Sequence, residues 1–250
     1  MKEQIKQITN TKQFHICMLL LIIFTILFVL GLKILEYNTE GDNNPPFEIT
    51  KISIISSVEG YDVKDNKNKW NLDVNQNNDI YIYIDKNKEY TKTETIKNVK
   101  ISNFNIIQEP KKGKLILLKP DSKLEKVIFK NEKENEIEQI EYAGATESNI
   151  KNMKISNQGG LAAFRYSIQN LGNYKSNKDK EIDHSELLKK IKFNNEDLKF
   201  KVQFNIKIEL DSKKKYTANA ELELPIGDVV NDGTQSLENI NLENIKLKRD

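Results

Sequence analysis

Two hydrophobic patterns divide the chain. From Ile16 to Leu32 the residues are apolar without period, interrupted only by the thiol of Cys17, Thr25 and Gly31 and by no charge. A helix packed on a soluble core keeps one polar side, and this run has none. At about 1.5 Å per residue it spans roughly 25 Å. Phe14 and His15 before it, and Ile34 and Leu35 beyond Lys33, extend it to the roughly 30 Å of a bilayer's hydrocarbon, with Lys33 snorkelling to the interface. The pattern predicts a transmembrane helix over residues 16–35. A cleaved signal has an apolar segment of about 7–15 residues followed by a small-x-small site. Here the run is longer, and Leu32-Lys33-Ile34-Leu35-Glu36-Tyr37 offers no such site. Cys17 opens the run, whereas a lipoprotein cysteine follows its apolar stretch. The expectation is an uncleaved anchor.

After "YNTEGDNNPPFE" (37–48), whose Gly, Asn and Pro-Pro suit a linker over 36–46, the period becomes two. In "FEITKISII" (47–55) Phe47 and Ile49 fall on one parity and Ile52 and Ile54 on the other, so its register stays open. "KWNLDV" (69–74) alternates Trp70, Leu72 and Val74, and "DIYIYID" (79–85) alternates Ile80, Ile82 and Ile84. The Asn-rich residues between them read as a turn. "IKNVKISNFNII", "KLILLK" and "LAAFRYSIQNL" are further strands. The strongest signal is a hairpin: Val202, Phe204, Ile206, Ile208 and Leu210, a polar "DSKKK", then Tyr216, Ala218, Ala220, Leu222 and Leu224. The single helical segment past the membrane run is "HSELLKKI" (184–191), opened by Asp183 or Ser185 as a cap. The fold expected is all-β: a transmembrane helix, then an antiparallel β-sandwich over 47–250, Ig-like or jelly-roll-like. One domain is preferred to two split at 172–184, because the final hairpin needs partner strands.

Charge then sets orientation and excludes a class. The 250 residues carry 39 basic and 37 acidic groups. Lys2, Lys6, Lys12 and Lys33 against Glu3 belong to the N-terminal part, which leaves residues 36–250 one charge negative. Interspersed signs near neutrality exclude a nucleic-acid binder. Lysines precede the apolar run, while Glu36, Glu40 and Asp42 follow it with no base until Lys51. The positive-inside rule therefore places residues 1–15 in the cytoplasm and 36–250 outside a cell membrane crossed once. Abundant Lys, Asn and Ile suggest an AT-rich bacterial genome, so single lysines and asparagines carry little functional weight. The lone Cys17 allows no disulfide in the domain.

The stretch "YTANAELELPIGDVVNDGTQSLENINLENIKLKR" resembles a segment of uncharacterised bacterial single-pass membrane proteins, through Leu222, Glu223, Leu224, Pro225, Gly227, Gly233, Thr234, Lys248 and Arg249. It covers about a quarter of the chain. The resemblance implies a membrane-anchored β-domain in which a Gly-Thr turn leads to a closing Lys-Arg strand; it implies no activity and no catalytic residue.

Candidate chemistry is sparse. Asp73, Asn75, Asn77 and Asp79 have the oxygen spacing of a calcium loop, but Asn78 and Ile84 stand where that loop needs Gly and Glu, and a plain turn is the simpler reading. Tyr81 and Tyr83 present aromatics opposite Ile80, Ile82 and Ile84, for a sugar or a partner, or for cross-strand packing. Arg165, one of two arginines, suits a planar carboxylate partner or simple exposure. His184 is the domain's only histidine, too few nitrogens for zinc. No G-x-S-x-G, phosphate loop or cysteine nucleophile occurs. The expected partners are the bilayer, through residues 16–35, and a protein or envelope component; no cofactor is expected. The leading reading is a non-enzymatic binding or structural module, with a carboxylate-dependent hydrolase or a membrane-complex subunit as alternatives.

Overall fold

The computed structural model describes residues 11–40, 44–63, 67–120, 129–130, 137–143, 155–238 and 242–250. Two compact units divide the chain after Pro45, and each is treated by itself. The first holds helix α1, Lys12–Glu40. Its apolar side chains from Ile16 to Leu35 are exposed around the whole circumference, which is compatible with a membrane segment or a signal sequence. Residues 36–40, expected in the linker, are still helical, since the first breakers in the sequence are Gly41 and Pro45-Pro46. Residues 1–10 of the expected cytoplasmic tail lie outside the described part.

The second unit is a β-sandwich of two antiparallel sheets. Its strands are β1 (Phe47–Asp62), β2 (Lys69–Lys86), β3 (Ile96–Gln108), β4 (Lys114–Pro120), β5 (Phe129–Lys130), β6 (Gln139–Ala143), β7 (Ile155–Ser156), β8 (Gly159–Asn177), β9 (Phe200–Leu210), β10 (Lys215–Leu224), β11 (Gln235–Glu238) and β12 (Lys248–Arg249). One sheet runs β11-β1-β2-β8-β4-β5, with β7 beside β8; the other runs β12-β10-β9-β3-β6. Two short helices, α2 (Leu187–Lys190) and α3 (Asn195–Leu198), bury Leu187, Leu188 and Leu198 between β8 and β9 in the chain. Asp183 caps the 3-10 turn His184–Glu186 that leads into α2, accepting from the Ser185 N–H at 2.9 Å.

Three details explain how the sequence makes these strands. The conflicting parities of 47–55 are reconciled by a bulge in β1: Ile49 pairs with Ile84, Lys51 with Tyr83, and Thr50 is the extra residue. Phe47 and Ile49 therefore point inward before it, and Ile52, Ile54 and Val58 after it. The Asn-rich turn between residues 74 and 80 is a correction: β2 runs unbroken through it, paired with β1 from Leu72 to Tyr83. Low strand propensity is overridden there because the inward side chains satisfy one another. Asn78 takes a 2.7 Å bond from the Ser56 hydroxyl and donates at 2.8 Å to Gln76, whose amide returns at 3.0 Å. The 201–225 hairpin forms in the expected register, Phe200–Leu210 against Lys215–Leu224. Lys248 and Arg249 close the second sheet against Thr217 and Tyr216.

The sheets meet through aromatic rings. Phe164 of β8 stands edge-on to Phe204 of β9 at 5.0 Å and to Phe104 of β3 at 5.4 Å, and Tyr166 meets Phe200 at 5.9 Å. Edge-to-face pairs add about 0.5–1.5 kcal/mol each beyond the area they bury. Phe204→Ala is expected to lower stability by about 3–5 kcal/mol, whereas Gln203→Ala, on the other face of the same strand, should change it by less than about 0.5 kcal/mol. Urea unfolding followed by tryptophan fluorescence measures both.

Candidate functional site

The outer face of a sandwich sheet is normally wet, yet the middle of this one is buried. β1 pairs with β2 through this stretch and β8 pairs with β2 from Gln76 onward, so Glu59, Asn75, Asn77, Asp79, Arg165 and Ser167 fall on that face side by side. Asn77 pairs with Ser57 and Ser167, and Asp79 with Ile55 and Arg165. On the far side β4 sets Ile116 beside Ser167 and Leu118 beside Arg165. Phe129, paired with Pro120, covers the guanidinium at 5.0 Å from its ring.

The polar groups form one network. Arg165 Nε and Nη2 grip the two oxygens of Asp79 at 2.5 and 3.0 Å. The Tyr81 hydroxyl donates to Asp79 Oδ2 at 3.4 Å. Glu59 accepts from Asn77 Nδ2 at 2.9 Å and from the Tyr61 hydroxyl, and its Oε2 lies 3.7 Å from Arg165 Nη1. Ser167 donates to Asn77 Oδ1 at 2.7 Å. Side chains of Arg165 and Asp79 retain 13% and 11% of their exposure, so the pair works in a low-dielectric setting. Burial raises the Asp79 carboxyl above its usual range, outweighing the pull of Arg165. Burial by itself would lower the Arg165 guanidinium, but the hydrogen bonds and charge of Asp79, with Glu59, carry it above its ordinary value. An arginine keeps its proton in either case, so the shift with consequences is that of Asp79. Burial, then the charge of Asp79, pushes the Tyr81 phenol to about 12; burial and Glu59 do the same to Tyr61.

Beside this network lies a cleft of about 1140 Å³. It follows β4 along residues 114–118 and is lined from both faces of that strand: Asn75, Asn77, Arg165 and Ser167 on the outer side, Phe104, Leu115, Leu117 and Tyr166 on the core side. Ile137, Glu138 and Asn103 to Ile106 of β3 form the opposite wall. Among the described residues, Asn75 Oδ1 and the Tyr166 hydroxyl are buried polar atoms of the lining without a hydrogen-bond partner.

Of the residues singled out in the sequence, Arg165, Asp79, Asn77, Asn75 and Tyr81 come together here. Tyr83 lies further along the face under Lys51, whose Nζ is 5.3 Å from its ring. Asp73 pairs with Tyr61 towards the end of the ladder. The four calcium-loop oxygen residues sit at successive two-residue steps along one continuous strand, about 6.7 Å apart, rather than wrapped in a loop around an ion whose ligands lie at about 2.3–2.6 Å. Among the described residues no group of His, Cys, Asp and Glu has metal-binding geometry. His184 is tied down structurally, its Nδ1 accepting from the Gly60 N–H at 3.0 Å. Glu59, Tyr61, Ser167 and Phe129 were not singled out; the signal for the first two is their alternation with Val58 and Gly60 once the β1 bulge resets the parity.

Comparison with known proteins finds no matching family model, curated protein or solved structure.

Removing the arginine should leave a buried carboxylate alone. Arg165→Met is expected to cost about 3–5 kcal/mol near neutral pH in urea unfolding. A carboxyl with a folded pKa above its unfolded one binds its proton more tightly when folded. Its contribution is thus favourable at low pH and lost as pH rises through the folded value. The deficit of Arg165→Met should therefore shrink between about pH 7 and pH 4. Millimolar calcium should leave the unfolding midpoint of the native chain unchanged; a rise would restore the calcium reading of Asp73 to Asp79.

Proposed function

We propose that this chain is a membrane-anchored, extracytoplasmic β-sandwich acting as a binding or structural module of a bacterial cell envelope. The observation that carries the reading is α1, whose apolar side chains are exposed all round over a length fit to cross a bilayer. Lysines before the apolar run and acids after it support a cytoplasmic N-terminus with the β-domain outside. The cleft along β4 supports binding over catalysis. Its arginine is held by Asp79 on two bonds, and Asp79 has both oxygens engaged, so neither group is free to shuttle a proton. His184 and Ser185 are spent on a backbone contact and a helix cap.

Protease added to intact cells or spheroplasts expressing the chain should digest the β-domain and leave a short membrane-bound fragment carrying α1. Full protection of the C-terminal part, with digestion only after lysis, would overturn the orientation.

A further inference from the structure

The domain's only histidine stands where three segments of chain meet. His184 opens the 3-10 turn His184–Glu186, which runs into α2. That segment rests closely on two glycines. A Cβ at Gly60 of β1 would stand 2.8 Å from Leu187 Cδ1, and a Cβ at Gly233 would stand 2.5 Å from the Cβ of Ser185. The end of β1, the turn with α2, and the connection from β10 to β11 thus form one tight joint, in which Leu187 and Leu188 are fully buried. Across it the Gly60 N–H donates to His184 Nδ1 at 3.0 Å. A backbone N–H can only donate, so Nδ1 must accept. The ring is therefore the neutral tautomer with its proton on Nε2. Proton uptake would turn Nδ1 into a donor and set two N–H groups against each other.

We propose that His184 is a proton-operated latch, whose neutral ring holds the end of β1 to the turn before α2 and whose protonated ring lets it go. The contact is present above the pH at which the ring gains its proton and is lost as pH falls, within the range of about pH 8 to pH 5 in which imidazoles change charge. The surrounding charges favour release. Asp183 and Glu186 belong to the same turn, and Glu186 pairs with Lys190 of α2 at 3.1 Å. Bonds from the Ser185 hydroxyl and N–H hold the Asp183 carboxyl below its usual range, so it is still an anion beside the ring when the ring becomes a cation. On β1, Glu59 and Tyr61 flank Gly60, and Asp232 precedes Gly233 in the third segment. Glu59 and Tyr61 are also the residues that β1 gives to the network around Arg165. Release of Gly60 therefore loosens that network from its β1 side. The latch is independent of the binding reading and of the membrane orientation.

The test is amide hydrogen exchange, read by NMR on the isotopically labelled full chain in detergent at about pH 7.5 and about pH 5, each rate referred to the intrinsic rate at its own pH. Protection of the Gly60 amide should fall about fivefold or more on acidification, as the loss of one hydrogen bond requires. The amide of Ile206, held in β9 between β10 and β3, should keep its protection and shows that the domain stays folded. His184→Asn replaces the ring nitrogen by a carboxamide that takes up no proton in this range, and should abolish the pH dependence at Gly60. His184→Ala should leave Gly60 weakly protected at both pH values. Equal protection of Gly60 at both pH values in the native chain would overturn the proposal. So would an acid loss shared equally by Ile206, an acid loss undiminished in His184→Asn, or full protection of Gly60 at neutral pH in His184→Ala.

Discussion

The sandwich depends on the edge-to-face contact of Phe164 with Phe204 and Phe104. It is a place where aromatic rings of the two sheets meet, and it fixes which faces of β8, β9 and β3 turn inward. Once Phe164 points in, its neighbour Arg165 must point out, two positions from Ser167 and opposite Asp79. The outer network is therefore a geometric consequence of the core. The same contact reaches the surface: Phe104 belongs both to the ring cluster and to the wall of the cleft along β4. Core and candidate site share a residue.

Much of this was legible in the chain. The apolar run and the 201–225 hairpin are strong because their periods are undiluted, with Val202 to Leu210 and Tyr216 to Leu224 alternating without exception. The Asn-rich middle of β2 was illegible for a physical reason. Asparagine is a turn former on its own, and what keeps Gln76 and Asn78 in a strand is Ser56, remote in sequence. A one-dimensional pattern cannot display a hydrogen bond between residues 22 positions apart. The register of β1 stayed open for a similar reason, since a single bulge residue, Thr50, reverses every later side chain.

The site was half visible. An arginine in a lysine-rich chain asks for a planar partner, and Asp79 supplies one, but only the pairing of β2 with β8 shows which carboxylate it is. Glu59 and Tyr61 enter through β1, and Phe129 through a two-residue strand with no periodic signature. The buried charges favour specificity over stability. A bidentate pair under an aromatic ring holds one register of three strands and penalises any slip that would strand its carboxylate.

Tyr142 carries a further implication. Its hydroxyl crosses from the second sheet, donates to the Ala163 carbonyl at 2.6 Å and accepts from the Ala163 N–H at 3.1 Å. It stands between β4 and β7 on one side of β8, where neither strand reaches. Within the stretch 161–164, which neither strand pairs, one phenol supplies Ala163 with the donor and the acceptor that a neighbouring strand would.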